Sequence, residues 1–144
     1  MKLFSMLHDI GKISIDDRIL KKEESLTEDE WKIIKTHPQI GYRIAMASSE
    51  FREIASYIIV HHERWDGKGY PRGLKGEEIP LLARILTVAD AYDAMTSKRV
   101  YKDAWKREAA LEELKKNSGT QFDPKIIDIF LSLAEAEDFG CPDV

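Results

Sequence analysis

One cysteine, Cys141, is all the sequence holds. A lone thiol closes no internal disulfide, which excludes a disulfide-stapled secreted scaffold and suits a reducing compartment. No run of about 18 apolar residues occurs, so no membrane-spanning helix is expected. The apolar stretch from Leu3 to Leu7 is too short for a signal peptide. Positive charge is not in excess: the formal net charge is -4. Nothing global therefore favours a nucleic-acid polymer or an anionic membrane. A phosphorylated ligand would need positive charge concentrated locally, by a metal or a few Lys and Arg. Internal repeats, low-complexity tracts and a convincing strand pair are also missing. What remains is 144 residues, 43% hydrophobic and 33% charged, the balance of one globular domain with a substantial core.

Almost every segment reads as helix. Residues 2–9 look like the last turns of a helix broken by Gly11. Thr27-Glu28-Asp29-Glu30 has the form of a capping box, predicting a helix over 28–37, a kink at Pro38 and continuation to about residue 47. A helix over 51–62 would place Ile54, Ile58, His61 and His62 on or beside one apolar face. Residues 63–79 carry Gly67, Gly69, Gly73, Gly76 and Pro71 and read as a long loop. The next helix, over 80–97, aligns Leu82, Leu86, Asp90 and Asp93 in one stripe. A helix over 106–117 is closed by Gly119, and Asp123-Pro124 opens a last one. The expected class is all-α.

The four histidines, His8, His37, His61 and His62, carry the clearest chemical signal. Each lies at or near the inward end of an expected helix. Any one alone reads as a core histidine satisfied by hydrogen bonds. Two of them are adjacent, however, and His8 is followed directly by Asp9. Imidazole with carboxylate suits Fe, Mn, Zn or Ni and not Ca or Mg. Asp90 lies in an otherwise apolar stripe, where an unpaired carboxylate is costly. It needs a cation, either a metal or a nearby side chain such as Arg84.

These residues carry a resemblance. His8-Asp9-Ile10-Gly11-Lys12 resembles the signature of the HD superfamily of metal-dependent phosphohydrolases. The segment from His61 to Pro71, ending Gly69-Tyr70-Pro71, is similar to the one that names the HD-GYP family. The stretch from Val88 to Lys102 matches that family's downstream segment, and Gly119 to Pro124 its closing motif. The resemblance implies an HD-superfamily helical bundle with a long Gly-rich loop, spanning residues 1–144 as one domain core. It implies a cytoplasmic bacterial phosphodiesterase that hydrolyses cyclic di-GMP to pGpG or GMP. Two or three divalent ions, Fe or Mn foremost and Zn or Ni next, would be held by His8, Asp9, His37, His61, His62 and Asp90, with Asp9 bridging two of them. Asp9, Lys12 and Asp93 would serve catalysis, while Tyr70, Arg99 and Lys102 would contact the nucleotide. Gly67 and Gly69 would let backbone approach a flat ligand, and Trp65 would pack under the loop. An upstream sensory or receiver domain and diguanylate cyclase (GGDEF) partners also follow from the family, while a homodimer is expected from the apolar groove that a missing upstream helix would leave.

One departure stands out. Family sites also take a histidine from a helix upstream of the His-Asp pair, yet only seven residues precede His8 and none is His. The expectation is an N-terminally truncated domain, its first metal one ligand short and an apolar groove left open. A binding or interaction module without turnover is therefore the rival reading. An HD phosphohydrolase acting on other nucleotides is a third, against which the GYP segment argues.

Overall fold

The computed structural model describes residues 2–98 and 103–136. In chain order they form α1 (Lys2–Leu7), a 3-10 turn (Ile10–Ser14), α2 (Asp17–Leu20), α3 (Glu28–Ile34), α4 (His37–Met46), α5 (Arg52–Ile58), a second 3-10 turn (Gly76–Glu78), α6 (Leu81–Thr96), α7 (Arg107–Lys116) and α8 (Pro124–Glu135). Among the described residues the one β-type pairing outside helices is a bridge between Ser118 and Phe122, so the class is all-α as expected. Among the described residues no helix is long and apolar enough to cross a membrane.

Helix ends follow local chemistry. The Thr27 hydroxyl accepts from Glu30 N at 3.3 Å while the Glu30 carboxylate accepts from Thr27 N at 2.7 Å, closing the expected capping box. Asp123 caps α8 by accepting from Lys125 N, with Pro124 in the first turn.

Two boundaries differ from the sequence reading. The helix expected over 28–37 stops at Ile34, and a separate helix, not a kinked continuation, starts at His37. Pro38 brings no N–H to extend α3, and it fits the first turn of α4, where none is needed. The helix expected over 51–62 stops at Ile58. Val60 N then bonds Tyr57 O at 3.1 Å and Glu63 N bonds Val60 O at 3.0 Å, so the chain continues in tight turns. His61 and His62 therefore stand past the helix and not on its apolar face. The first 3-10 turn and α2 have no counterpart in the sequence reading.

Two apolar clusters share α6. Phe4, Ala45, Ala55, Ile58, Val60, Ile79, Ala83 and Leu86 form one, and Val88, Leu114, Phe122 and Ile127 form the other. The Gly-rich loop is pinned to the first cluster through Ile79 and Leu74. α6 therefore stays fixed against both halves, while Thr87 and Asp90 on it face a cleft beside His8, His61 and His62.

Candidate metal centre

Three histidines use one local device. His8 follows α1, His37 follows α3 by three residues and His61 follows α5 by three. In each, Nδ1 meets the carbonyl oxygen three residues back: Ser5 at 2.7 Å, Ile34 at 2.7 Å and Ile58 at 2.6 Å. Those carbonyls lie in last helical turns, where acceptors lack backbone partners. A carbonyl only accepts, so each Nδ1 carries a proton, and in its neutral form each ring presents a bare Nε2.

Those lone pairs converge. His37 Nε2 and His61 Nε2 stand 3.2 Å apart, both deeply buried. Asp9 Oδ1 lies 3.3 Å from the first and 3.6 Å from the second. That oxygen is buried and finds no hydrogen-bond partner of adequate geometry. Two imidazole lone pairs and a carboxylate oxygen thus face one point without a proton between them. Uncompensated, the arrangement is repulsive and costly, whereas a divalent cation of the nitrogen- and oxygen-binding kind matches its donors. With His62 the group numbers four residues, whose ligand atoms lie within 4.8 Å of one another. The other carboxylate oxygen, Oδ2, looks away, 3.5 Å from His8 Nε2 and 2.6 Å from Lys12 Nζ. His8 Nε2 is also 3.8 Å from Asp90 Oδ1. Asp9 therefore faces an inner group, His37, His61 and His62, and an outer group, His8 and Asp90.

The electrostatics suit ligands. Burial pushes the Asp9 carboxyl up, while the Lys12 ammonium bonded to its Oδ2 opposes that and favours the charged carboxylate. Burial lowers His61. Burial, with His61 and His37 nearby, brings His62 down to about 2, so both rings are neutral and able to ligate at pH 7.

The Gly-rich loop closes over this group. Tyr70 stacks on His62 with ring centroids 4.9 Å apart at 23°, and Lys35 Nζ lies 5.5 Å from the Tyr70 centroid. Burial and the charge of Asp9 push the Tyr70 phenol up to about 12, keeping it protonated. The buried carboxylate of Glu63 accepts from Arg72 N at 2.7 Å and Leu74 N at 3.0 Å. Gly69 allows the fold-back: a Cβ there would stand 2.4 Å from Arg64 N and 2.5 Å from Glu63 Cα. Its lack of a side chain admits the loop's own backbone, which corrects the reading that it makes room for a ligand. Gly67 instead takes a positive φ of 80°. Trp65 is half-buried at the loop's base, its O accepting from Gly76 N at 3.0 Å, in line with the packing role read for it.

The remaining residues divide. Asp90 is half-exposed and not buried, and Arg84 is not its partner. Arg84 pairs with buried Asp123 at 2.5 Å and lies over the Trp65 ring, and among the described residues it is His8 that stands beside Asp90, at 3.8 Å. Asp93, one turn further along α6, is exposed and accepts from Ser97 Oγ at 2.9 Å. Arg99 and Lys102 lie outside the described residues. Sequence reasoning missed Glu63, Arg84 and Gln121 as organisers of the loop. Each sat inside a quoted or neighbouring motif, but only their long-range partners reveal the role.

A family model described as HD domain matches residues 1–126. The chain is 48% identical over 133 residues to a cyclic di-GMP phosphodiesterase response regulator of Xanthomonas campestris pv. campestris, covering 91% of this chain and 35% of that protein. It is 48% identical over 129 residues to a cyclic di-GMP phosphodiesterase of Thermotoga maritima, covering 88% and 35%. To a 3'3'-cGAMP-specific phosphodiesterase of Vibrio cholerae it is 42% identical over 133 residues, covering 91% and 26%. The chain thus spans about a quarter to a third of the length of these relatives. A crystal structure of a cyclic GMP-AMP specific phosphodiesterase of V. cholerae superposes with a TM-score of 0.62 at 23% identity, over 93% of this chain and 38% of that one, which shows a shared fold.

Proposed function

This chain belongs to the HD-domain family, and on that premise we propose that it forms the metal-dependent phosphodiesterase core of a cytoplasmic bacterial enzyme cleaving cyclic di-GMP to pGpG or GMP. The observation that carries the reading is the convergence of the bare Nε2 atoms of His37 and His61 on the orphaned Asp9 Oδ1. His37, His61, His62 and Asp9 would hold an inner ion, and His8, Asp9 and Asp90 an outer one. Iron or manganese fits this imidazole and carboxylate mixture, as do zinc and nickel. When bound, the ions supply Lewis acidity toward a phosphoryl oxygen and a nucleophile at neutral pH.

The chain's own residues do the rest. The backbone carbonyls behind His8, His37 and His61 fix tautomer and ring direction, as outer partners of metal-binding imidazoles do. Lys12, 2.6 Å from Asp9 Oδ2, brings a positive charge to the edge of the site, where charge develops on phosphoryl oxygens. Tyr70 keeps its phenolic proton and can donate a hydrogen bond to substrate. On the family resemblance, Asp93 would serve catalysis and Arg99 and Lys102 would contact the nucleotide.

The two relatives at 48% identity are cyclic di-GMP enzymes, which puts cyclic di-GMP first, but 3'3'-cGAMP enzymes at 42% and 40% fall inside the 37–48% span of the cyclic di-GMP enzymes, so turnover must decide between the two. The test is metal analysis paired with turnover of both dinucleotides by this chain reconstituted with manganese or iron. Metal bound at the centre with cyclic di-GMP hydrolysed faster than 3'3'-cGAMP is expected. Metal bound with neither dinucleotide cleaved would establish the rival reading, a binding module.

A further inference from the structure

We infer that Gln121 is a substrate-contacting residue whose side-chain N–H donates to a non-bridging phosphodiester oxygen in the cleft beside His8 and Asp90. Gln121 lies in the turn between α7 and α8, outside every residue assigned to the centre above. Its backbone oxygen accepts from Trp65 N at 3.2 Å, and the Thr120 oxygen accepts from Asp66 N at 2.8 Å, so the turn is tied to the base of the Gly-rich loop. Its side chain borders a cleft of about 180 Å³ shared with His8, His61, His62 and Asp90.

An amide can point either way, and here a neighbour decides. Arg64 Nη1 donates to Gln121 Oε1 at 3.2 Å. Arg64 is in turn held in a fork by Asp66, with Nε to Oδ1 at 3.1 Å and Nη2 to Oδ2 at 2.9 Å. Guanidinium has donors and no acceptor, so the amide oxygen must face Arg64 and the NH2 must face away. Among the described residues no acceptor takes those hydrogens. The Thr87 hydroxyl on the same cleft wall is already engaged by the carbonyls of Ala83 and His61. An oriented neutral donor beside a cation-binding cluster complements an anionic diester oxygen, which accepts from cations and N–H groups alike. Arg64 and Asp66 are then positioning residues that act through Gln121.

The inference rests on the phosphodiesterase reading, and the experiment separates the two. The chain contains two glutamines, Gln39 and Gln121, and one asparagine, Asn117, so its side-chain amide spectrum is simple. Dimethyl phosphate is titrated into the zinc-loaded protein while 15N side-chain amide signals are followed. The Gln121 pair should shift, and those of Gln39 and Asn117 should not. Gln121→Glu keeps an oxygen for Arg64 and removes the donor. It should keep the parent's zinc content and melting temperature and bind dimethyl phosphate about ten- to a hundredfold more weakly, as loss of a hydrogen bond to a charged group implies. Cyclic di-GMP kinetics with manganese should show a raised KM for the same variant. If Gln121→Glu binds the probe as the parent does, or the Gln121 signals stay still, the inference is overturned even where cyclic di-GMP is hydrolysed. If the parent leaves cyclic di-GMP intact while Gln121 still reports the diester, the inference stands and the cyclic dinucleotide reading falls.

Discussion

A Cβ built on Gly11 would stand 1.9 Å from the carbonyl oxygen of His37 and 2.6 Å from Gly41 N. The turn after Asp9 is thus pressed against the first turns of α4, and this approach delivers Asp9 to His37. Gly11→Ala has to push backbone from backbone, since no flexible side chain can yield. The expected result is a loss of roughly 1–3 kcal/mol or more in stability, the scale of core overpacking, together with lost metal content. Thermal melts and metal analysis check it. A variant melting with the parent and retaining its metal would mean that the contact is relieved cheaply.

Asp9 faces both ligand groups, so its removal should act on both. Asp9→Ala is expected to abolish binding of more than one ion, and Asp9→Asn to weaken it. Asp90→Ala should deplete only the outer ion, because among the described ligand groups its oxygen approaches His8. Asp93→Ala should lower turnover with metal retained. Titration of the metal-free protein followed by elemental analysis distinguishes these cases. Unchanged stoichiometry in Asp9→Ala would remove Asp9 from the centre, and metal loss in Asp93→Ala alone would exchange the two α6 roles.

Acid should weaken the metal-free protein through His62. Its folded value, about 2, lies below the ordinary 6.5, so between those values the unfolded chain binds a proton that the native site refuses. Stability from this group is present above about pH 6.5 and is lost as pH falls through that window, at up to about 1.4 kcal/mol per pH unit. His61, lowered in the same direction, adds to the trend. Urea melts in a chelator at pH 7.5 and 5.5 should show the decline, and His62→Gln should flatten it. Equal slopes for variant and parent would show that His62 accepts a proton in the folded state.

Glu63 shapes the loop without joining the metal. Glu63→Ala leaves the Arg72 and Leu74 amides without their acceptor, costing about 1–3 kcal/mol for each that stays buried. The expected phenotype is greater exchange of those amides and a raised KM, with metal content preserved. Hydrogen exchange and steady-state kinetics test it. Metal loss that tracks the loop defect would show that Tyr70 stacking on His62 is needed to hold that ring.

Local chemistry was legible in the sequence. Thr27 with Glu30, and Asp123 with Pro124, announced helix starts because a cap needs only side chain and backbone within three residues. The family motifs named His8, Asp9, His37, His61, His62 and Asp90, and the structure brings these six together. Helix ends were less legible. α5 stops at Ile58 because the His61 ring takes a last-turn carbonyl, and periodicity carries no trace of that competition. Long-range pairing was not legible at all. Arg84 and Asp90, six residues apart on α6, lie on different faces of that helix, and it is the packing of α8 against α6 that presents buried Asp123 to Arg84. Likewise Arg64 and Gln121, 57 residues apart in the chain, meet only once the loop and the α7–α8 turn are docked, because that pairing depends on which surfaces bury together and not on any neighbour in sequence.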